Sequence, residues 1–125
     1  MNNKTIVGDI IKQFNCSNII LKNKSSIIDF IDIQDVCIAI EKLLLSNVSG
    51  VFNLGTGKGV KVESLVKKML SMCGLSKKEI ITKNIDGLIS YNVLNINKIK
   101  KSINWKPSID LNKSLKNICE IKIEK

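Results

Sequence analysis

The sequence predicts a small α/β lobe built from short strands and amphipathic helices. Apolar residues recur at helical spacing between Val62 and Cys73 and again between Leu111 and Cys119, which is the pattern of helices that bury one face. Residues 29–59 read instead as strand, helix, strand and glycine loop. The chain has 125 residues, 44% of them hydrophobic, and we expect residues 1–125 to form a single lobe.

The amino-terminal quarter predicts one helix followed by two strands. Apolar residues at spacings of one, three and four mark one face of the helix, at Ile6, Val7, Ile10, Ile11 and Phe14. Residues 18–21 read as a strand, and a polar turn over 22–26 leads into a second strand over 27–33. We expect the helix face, and the residues beside Phe30, to form apolar surface that the chain leaves uncovered.

The middle of the chain predicts a helix that Asp35 caps, with an apolar run over 36–45. A turn at 47–50 returns the chain to a short strand at 51–54, and Gly55, Gly57 and Gly59 follow. The carboxyl-terminal part predicts a helix ended by Gly74, a strand near 80–82, a turn at 86–87 and two further helices. Asn95 and Asp110 are the predicted caps of these last two helices.

Composition excludes several classes of function. No apolar run approaches the roughly 18 residues of a membrane span, and the amino terminus lacks a secretory signal pattern, so we expect a cytoplasmic chain without a membrane segment. The net charge is +9, but the twenty basic residues are scattered lysines without interleaved aromatic residues, and we expect no nucleic-acid binding.

The sequence does not predict a metal site. It contains no histidine, and its four cysteines lie far apart, whereas a zinc site needs closely paired ligands. We expect buried free thiols at all four positions, which are Cys16, Cys37, Cys73 and Cys119. The missing histidine also removes the most common general base for a nucleophilic serine or cysteine.

Four short motifs follow one another between residues 27 and 120. Asp29-Phe30 leads into Asp35-Val36, and the run VFNLGTG at 51–57, the run VLNINK at 93–98 and the run NWKP at 104–107 come next. Their order resembles the carboxyl-terminal part of the extended short-chain dehydrogenase/reductase family, the NAD-dependent epimerases, dehydratases and reductases of nucleotide sugars. The resemblance implies a substrate-binding part, with NAD(P) as the cofactor of the complete enzyme.

The resemblance also shows what this sequence lacks. Members of the family bind NAD(P) on a Rossmann sheet that comes earlier in the chain, and they use a tyrosine with a lysine four residues later. Here no glycine-rich fingerprint is present, and the single tyrosine, Tyr91, is followed at that distance by Asn95. Ile28 stands where members generally have an arginine that can hold a diphosphate. We therefore expect this chain alone to bind no cofactor, to be inactive, and to bind UDP- or GDP-linked sugars weakly.

The glycine loop at 55–59 fits neither familiar phosphate-binding pattern. A P-loop needs a serine or threonine after its lysine, but Lys58 is followed by Gly59, and the glycine spacing differs from that of a dinucleotide fingerprint. A structural turn is the main prediction, with direct ligand contact as the alternative.

The resemblance suggests five substrate-binding residues: Asp29, Phe30, Asn53, Lys83 and Asp86. Two functions remain open. The chain is a truncated or split nucleotide-sugar epimerase, dehydratase or reductase, or it is a non-catalytic interaction module or subunit that pairs with a separate Rossmann chain. Self-association is a further expectation, because the chain would lack the domain that covers its apolar surface.

Overall fold

In a computed structural model, the described residues 5–83 and 89–123 contain five α-helices, five short strands and a 3-10 turn at Gln13–Asn15. In chain order the helices and strands are α1 (Ile6–Lys12), β1 (Ile19–Leu21), β2 (Ile27–Asp29), α2 (Ile33–Leu44), β3 (Gly59–Lys61), α3 (Val62–Met72), β4 (Ile80–Thr82), β5 (Tyr91–Asn92), α4 (Asn97–Ile103) and α5 (Leu111–Ile123). No helix within these ranges is long and apolar enough to cross a membrane. The chain is thus a small α/β structure, as predicted.

The strands form two small sheets. β1 and β4 pair in parallel, with Ile19 opposite Ile80. In the other sheet β2 lies between an antiparallel β3 and a parallel β5. The backbone of Lys83 donates a 3.0 Å hydrogen bond to the Leu21 carbonyl and so extends the first sheet beyond the end of β4.

The main core forms around α3, because its apolar stripe faces α1, β1 and α5. Leu65, Val66 and Met69 are completely buried, and Leu115 of α5 packs in the same cluster. This confirms the helical face predicted from the spacing of apolar residues. A second cluster joins α2 to α4 through Ala39, Ile99 and Trp105, and it includes Phe52 and Leu54 at its edge.

The apolar face of α1 packs against the main core, so the expectation that this face stays uncovered is wrong. Ile10 is buried, and the other four predicted positions, Ile6, Val7, Ile11 and Phe14, pack against the same cluster. Phe30 packs there as well. The reason is that α3 and β1, which follow later in the chain, fold back over this helix.

Asp35 does not cap α2, which corrects the sequence prediction. The cap is Asp32, whose carboxylate accepts a 2.9 Å hydrogen bond from the Gln34 amide. Asp35 lies one turn further on and is buried. Its carboxylate accepts hydrogen bonds from the Ser108 amide, the Ser108 hydroxyl and the Ile109 amide, at 2.9–3.1 Å.

These contacts set the charge state of Asp35. Burial alone raises the pKa of its carboxyl, but the hydrogen bonds from Ile109 and Ser108 outweigh burial and hold the pKa below the ordinary value of 3.8. The charged Asp35 carboxylate therefore connects the first turn of α2 to the segment that leads into α5.

Residues 51–54 do not form the predicted strand. No neighbouring strand pairs with them within the described ranges. The glycine loop that follows serves the structure in two ways. Gly57 has a φ of +73°, which glycine adopts freely, and a Cβ at Gly59 would lie 2.5 Å from Cγ2 of Ile27.

The cysteines also differ from the prediction of four buried free thiols. Cys73 and Cys119 form a disulfide between the end of α3 and the middle of α5, with Cα atoms 5.5 Å apart. Cys16 and Cys37 are free but exposed. The sequence could not show this, because 46 residues separate the two bonded cysteines and only the packing of α3 on α5 brings them together.

Candidate functional site

A groove with a volume of about 560 Å³ lies between α1, β1 and the start of β2. We call it the α1–β2 groove. Apolar side chains form most of its lining, and polar and charged groups stand among them. The lining residues are Ile6, Asp9, Ile10, Lys12, Gln13, Ile20, Leu21, Lys22, Asn23, Ser26, Ile28, Val62 and Ser90.

Gln13 fixes one wall of the α1–β2 groove. Its side-chain oxygen accepts a 2.7 Å hydrogen bond from the Ile20 amide, and its Nε2 donates to the carbonyls of Ile20 and Asp9 at 3.3 and 3.2 Å. The amide side chain thus occupies both main-chain groups of Ile20 on β1. This arrangement joins the end of α1 to the first sheet and holds the groove open between them.

The opposite wall is set by the start of β2. Ser26 is buried, and its hydroxyl oxygen accepts a 3.1 Å hydrogen bond from the Ser90 amide. Ile27 donates from its amide to the Ser90 carbonyl at 2.8 Å. Ile28 then contributes its side chain to the groove lining, so the position where the resemblance expects an arginine lies at this site.

The groove combines an apolar floor with cations at its rim. Lys12 and Lys22 are exposed, and the Lys12 ammonium lies 4.0 Å from the Asp9 carboxylate. An exposed pair of this kind contributes little to stability, so Lys12 remains able to meet another anion. The groove can bind a molecule that has an apolar or planar part and a negatively charged part.

Asp29, a predicted site residue, binds the glycine loop within its own chain. Its carboxylate accepts hydrogen bonds from the Thr56 amide at 2.9 Å, the Thr56 hydroxyl at 2.5 Å and the Gly57 amide at 2.8 Å. A longer bond of 3.3 Å comes from the Leu94 amide. Asp29 therefore positions the loop against β2, and its contact with substrate stays a prediction.

Phe30 and Asn53 lie outside the lining of the α1–β2 groove. Phe30 lines a second cavity of about 420 Å³, together with Lys58 and the residues that lead into α5. Asn53 donates from its side-chain amide to the Asn95 carbonyl at 3.2 Å. The structure thus separates these two residues from Ile28, although the sequence places all three near the same motifs.

Lys83 follows β4 and is exposed, and its main-chain bond to Leu21 places it beside a residue that lines the groove. Asp86 and the turn predicted at 86–87 lie outside the described residues. Sequence reasoning missed Gln13 and Lys22. A glutamine after an apolar helix, or one lysine among twenty, carries no signal that would single it out.

The lining of the α1–β2 groove contains two serines, Ser26 and Ser90, and no cysteine, tyrosine or histidine. Within the described ranges no cluster of three metal-ligating side chains occurs. Tyr91 on β5 is largely exposed.

The sequence matches no protein-family model and no curated protein. Solved structures, however, match closely in fold. RMD from Pseudomonas aeruginosa, solved with NADPH, superimposes with a TM-score of 0.89 at 18% identity, over 99% of this chain and 44% of that one.

Two further likenesses are to named nucleotide-sugar enzymes. UDP-glucose 4-epimerase from Thermotoga maritima, solved with UDP-glucose, has a TM-score of 0.83 at 23% identity, over 95% of this chain and 39% of that one. dTDP-glucose 4,6-dehydratase from Bacillus anthracis, solved with NAD, has a TM-score of 0.85 at 19% identity, over 98% of this chain and 40% of that one. The resemblance read from the motifs is thus confirmed at the level of the fold. The chain spans about two fifths of the length of these proteins.

Proposed function

We propose that these 125 residues act as one lobe, the nucleotide-sugar-binding part of an NAD(P)-dependent epimerase, dehydratase or reductase that is truncated or split. Two facts support this proposal: the chain shares its fold with enzymes named for nucleotide sugars, and its sequence lacks a cofactor fingerprint and a tyrosine–lysine pair. In this proposal the NAD(P) site belongs to a Rossmann part outside these residues. The chain works in the cytoplasm and is inactive alone.

The observation that carries the proposal is the α1–β2 groove. Its apolar floor suits the planar base of a UDP- or GDP-linked sugar, and Lys12 and Lys22 at the rim suit the diphosphate. Lys83, whose amide bonds the carbonyl of groove-lining Leu21, enters the proposal as a third cation. Asp29, Phe30 and Asn53 enter the proposal as residues that hold or extend the site beyond the groove, and Asp86 stays a predicted substrate contact.

Ile28 sets the expected strength of binding. A lysine supplies a point charge but not the planar pair of donors that an arginine offers a diphosphate, and an isoleucine supplies neither. A ligand in this groove also lacks the contacts of the part that this chain does not contain. We therefore expect a dissociation constant of about 1 mM or weaker for UDP-glucose or GDP-mannose.

Calorimetric titration with the two sugar nucleotides measures the affinity and tests the proposal. In a separate thermal unfolding experiment, 0.5 mM ligand should raise the unfolding temperature by only about 1 °C. Ile28→Arg should tighten binding about tenfold. The matched control, Leu45→Arg, adds the same charge at an exposed position just after α2 and outside the groove lining, and it should leave the affinity unchanged.

Two results would overturn the proposal. One is that neither the natural chain nor Ile28→Arg binds either nucleotide at 10 mM, a concentration about ten times the expected dissociation constant. The other is that Leu45→Arg tightens binding as much as Ile28→Arg, which would mean that the gain comes from net charge. A rise of several degrees with the natural chain would contradict the role given to Ile28.

The second candidate function is a non-catalytic subunit that pairs with a separate Rossmann chain. The missing tyrosine–lysine pair favours it. The two functions differ in the groove, because a purely structural subunit needs no nucleotide sugar. Retained pairing without any ligand binding would select this alternative.

A further inference from the structure

The second cavity, of about 420 Å³, lies apart from the α1–β2 groove, and the two share no lining residue. One wall is the glycine loop, with Thr56 and Lys58, and another is the run at 107–112 that leads into α5. Lys68 of α3 also lines the cavity. A cavity of this volume is large enough to bind a small molecule.

Two carboxylates that do not line the second cavity hold its two walls in place. Asp29 accepts hydrogen bonds from the amide and the hydroxyl of Thr56, at 2.9 and 2.5 Å. Asp35 accepts hydrogen bonds from the amides of Ser108 and Ile109, at 3.0 and 2.9 Å. Because the walls are fixed before a ligand binds, binding costs less conformational entropy.

The same hydrogen bonds limit which anions the second cavity can bind. The main-chain amides at 56–57 and 108–109 donate to Asp29 and Asp35, and amides of the first turn of α5 donate to Asp110 at 2.6 and 3.2 Å. A phosphate is usually held by several main-chain amides or by the paired donors of arginine, and the chain contains no arginine. The cavity therefore offers a phosphate only the point charges of its lysines.

Lys58 and Lys68 supply the positive charge of the second cavity. Both are exposed, and neither ammonium group takes part in an ion pair across residues 5–83 and 89–123. Asp110 lines the cavity as well, and its carboxylate accepts hydrogen bonds at the positive end of α5. Two ammonium groups beside one carboxylate leave an excess of one positive charge, which suits a ligand with a single negative charge.

Half-buried apolar side chains make up much of the remaining lining: Phe30, Val60, Ile109 and Leu111. Each of them keeps some surface that a ligand can cover, and covering apolar surface is favourable in proportion to its area. The Phe30 ring also favours contact with another aromatic ring. The uncharged part of the ligand is therefore expected to be apolar and aromatic.

We propose that the second cavity is a binding site for a small aromatic monocarboxylate. The ring of this ligand packs against Phe30 and Leu111, and its carboxylate meets the ammonium groups of Lys58 and Lys68. The ligand differs from the sugar nucleotide proposed for the α1–β2 groove, because the wall amides that a diphosphate would need already donate to carboxylates of the chain. The proposal does not depend on the proposed function.

Titration of the ¹⁵N-labelled chain with 3-phenylpropionate at pH 7 tests the proposal. The amides of Lys58, Ser108 and Leu111 should shift progressively, with a dissociation constant of about 1 mM. 3-Phenylpropanamide has the same shape without the charge, and it should bind about fivefold more weakly because it loses the attraction of two exposed ammonium groups. Acetate has the charge without the ring, and it should cause no shift at 10 mM, about ten times the expected dissociation constant.

Removing the two ammonium groups isolates the role of charge. Lys58→Gln with Lys68→Gln should weaken the binding of 3-phenylpropionate about fivefold. The matched control is Lys77→Gln with Lys101→Gln, which removes the same charge at two exposed positions outside the lining and should leave the affinity unchanged. All four side chains are exposed, so the fold tolerates both pairs of substitutions.

Four results would overturn the proposal: no shift with 3-phenylpropionate at 10 mM, shifts centred on the α1–β2 groove, equal binding of the acid and the amide, or an equal loss of affinity in the two double variants. Tighter binding of phenyl phosphate than of 3-phenylpropionate would also overturn it, because the site would then be selective for phosphate. The amides of Gln13 and Ile28 report UDP-glucose binding in the groove, so a failure of this site is distinguished from a failure of the proposed function.

Discussion

Replacing Asp35 with asparagine tests how α2 is fixed to the rest of the chain. The buried carboxylate accepts hydrogen bonds from three donors, the Ser108 amide, the Ser108 hydroxyl and the Ile109 amide. Asp35→Asn keeps the shape of the side chain but offers one acceptor oxygen and places an NH2 group against N–H donors. The variant therefore removes the charge and part of the bonding without opening a cavity.

The expected cost follows from the number of bonds affected. A hydrogen bond to a charged group contributes about 1.5–3 kcal/mol, and a buried donor left without an acceptor costs about 1–3 kcal/mol. With one acceptor retained, Asp35→Asn should lower the free energy of unfolding by about 2–4 kcal/mol at pH 7. Urea unfolding followed by circular dichroism measures this difference.

The effect should depend on pH in a defined direction. The pKa of Asp35 in the folded chain lies below 3.8, so its contribution is fully present above the unfolded pKa and is lost as the pH falls through the folded pKa. Protonated Asp35 resembles asparagine. The difference between the natural chain and Asp35→Asn should therefore shrink as the pH falls from about 5 to about 2.

Glu120→Gln is the matched control, because Glu120 is exposed on α5 and lies 3.8 Å from Lys116. It should change stability by less than about 0.5 kcal/mol. The charged role of Asp35 is disproved if Asp35→Asn lowers stability no more than Glu120→Gln at pH 7, or if its effect on stability is the same at acid and neutral pH.

Two further variants test the packing. Gly59→Ala should lower stability by about 1–3 kcal/mol, because the new Cβ would lie 2.5 Å from Cγ2 of Ile27 and 2.7 Å from Cγ2 of Val93; an unchanged urea midpoint would contradict the close approach of β3 to β2. Cys73→Ala should cost about 4 kcal/mol relative to the oxidised chain, from the loop that the bond to Cys119 closes. Calorimetry with and without dithiothreitol checks this, since the difference should fall sharply once the natural chain is reduced, and a difference that reductant leaves unchanged would argue against the bond.

The sequence predicted local structure well wherever one helix face carries the signal. The stripe from Val62 to Cys73 forms α3, and Asp110 caps α5 by accepting from the amides of Asn112 and Lys113. Both predictions rest on residues close in the chain, and they need no knowledge of how distant segments pack.

Two predictions that depended on contacts between distant segments of the chain were wrong. Asp35 was expected at a cap, but its partners lie more than seventy residues away at Ser108 and Ile109. The uncovered apolar surface was expected on α1 and is found on α2, because α3 and β1 cover Ile10 while nothing in the described part of the chain covers Leu44. The periodicity of apolar residues shows that a helix has an apolar face, but it does not show whether another segment of the chain packs against that face.

The candidate site was predicted only in part for the same reason. Motif order places Ile28 where the resemblance leads us to expect an arginine, and this residue does line the α1–β2 groove. The other wall comes from Gln13, whose role depends on hydrogen bonds to Ile20 across a turn. No pattern in the sequence marks such a bond in advance.

The most direct test of nucleotide-sugar binding is a nuclear magnetic resonance titration of the ¹⁵N-labelled chain with UDP-glucose. We predict that amide shifts change progressively, and without saturation below about 1 mM, at residues of the α1–β2 groove such as Gln13, Lys22 and Ile28. Residues around the second cavity, such as Lys58 and Leu111, should not shift. Shifts centred on the second cavity, or an unchanged spectrum at 10 mM ligand, would show that UDP-glucose does not bind in the α1–β2 groove.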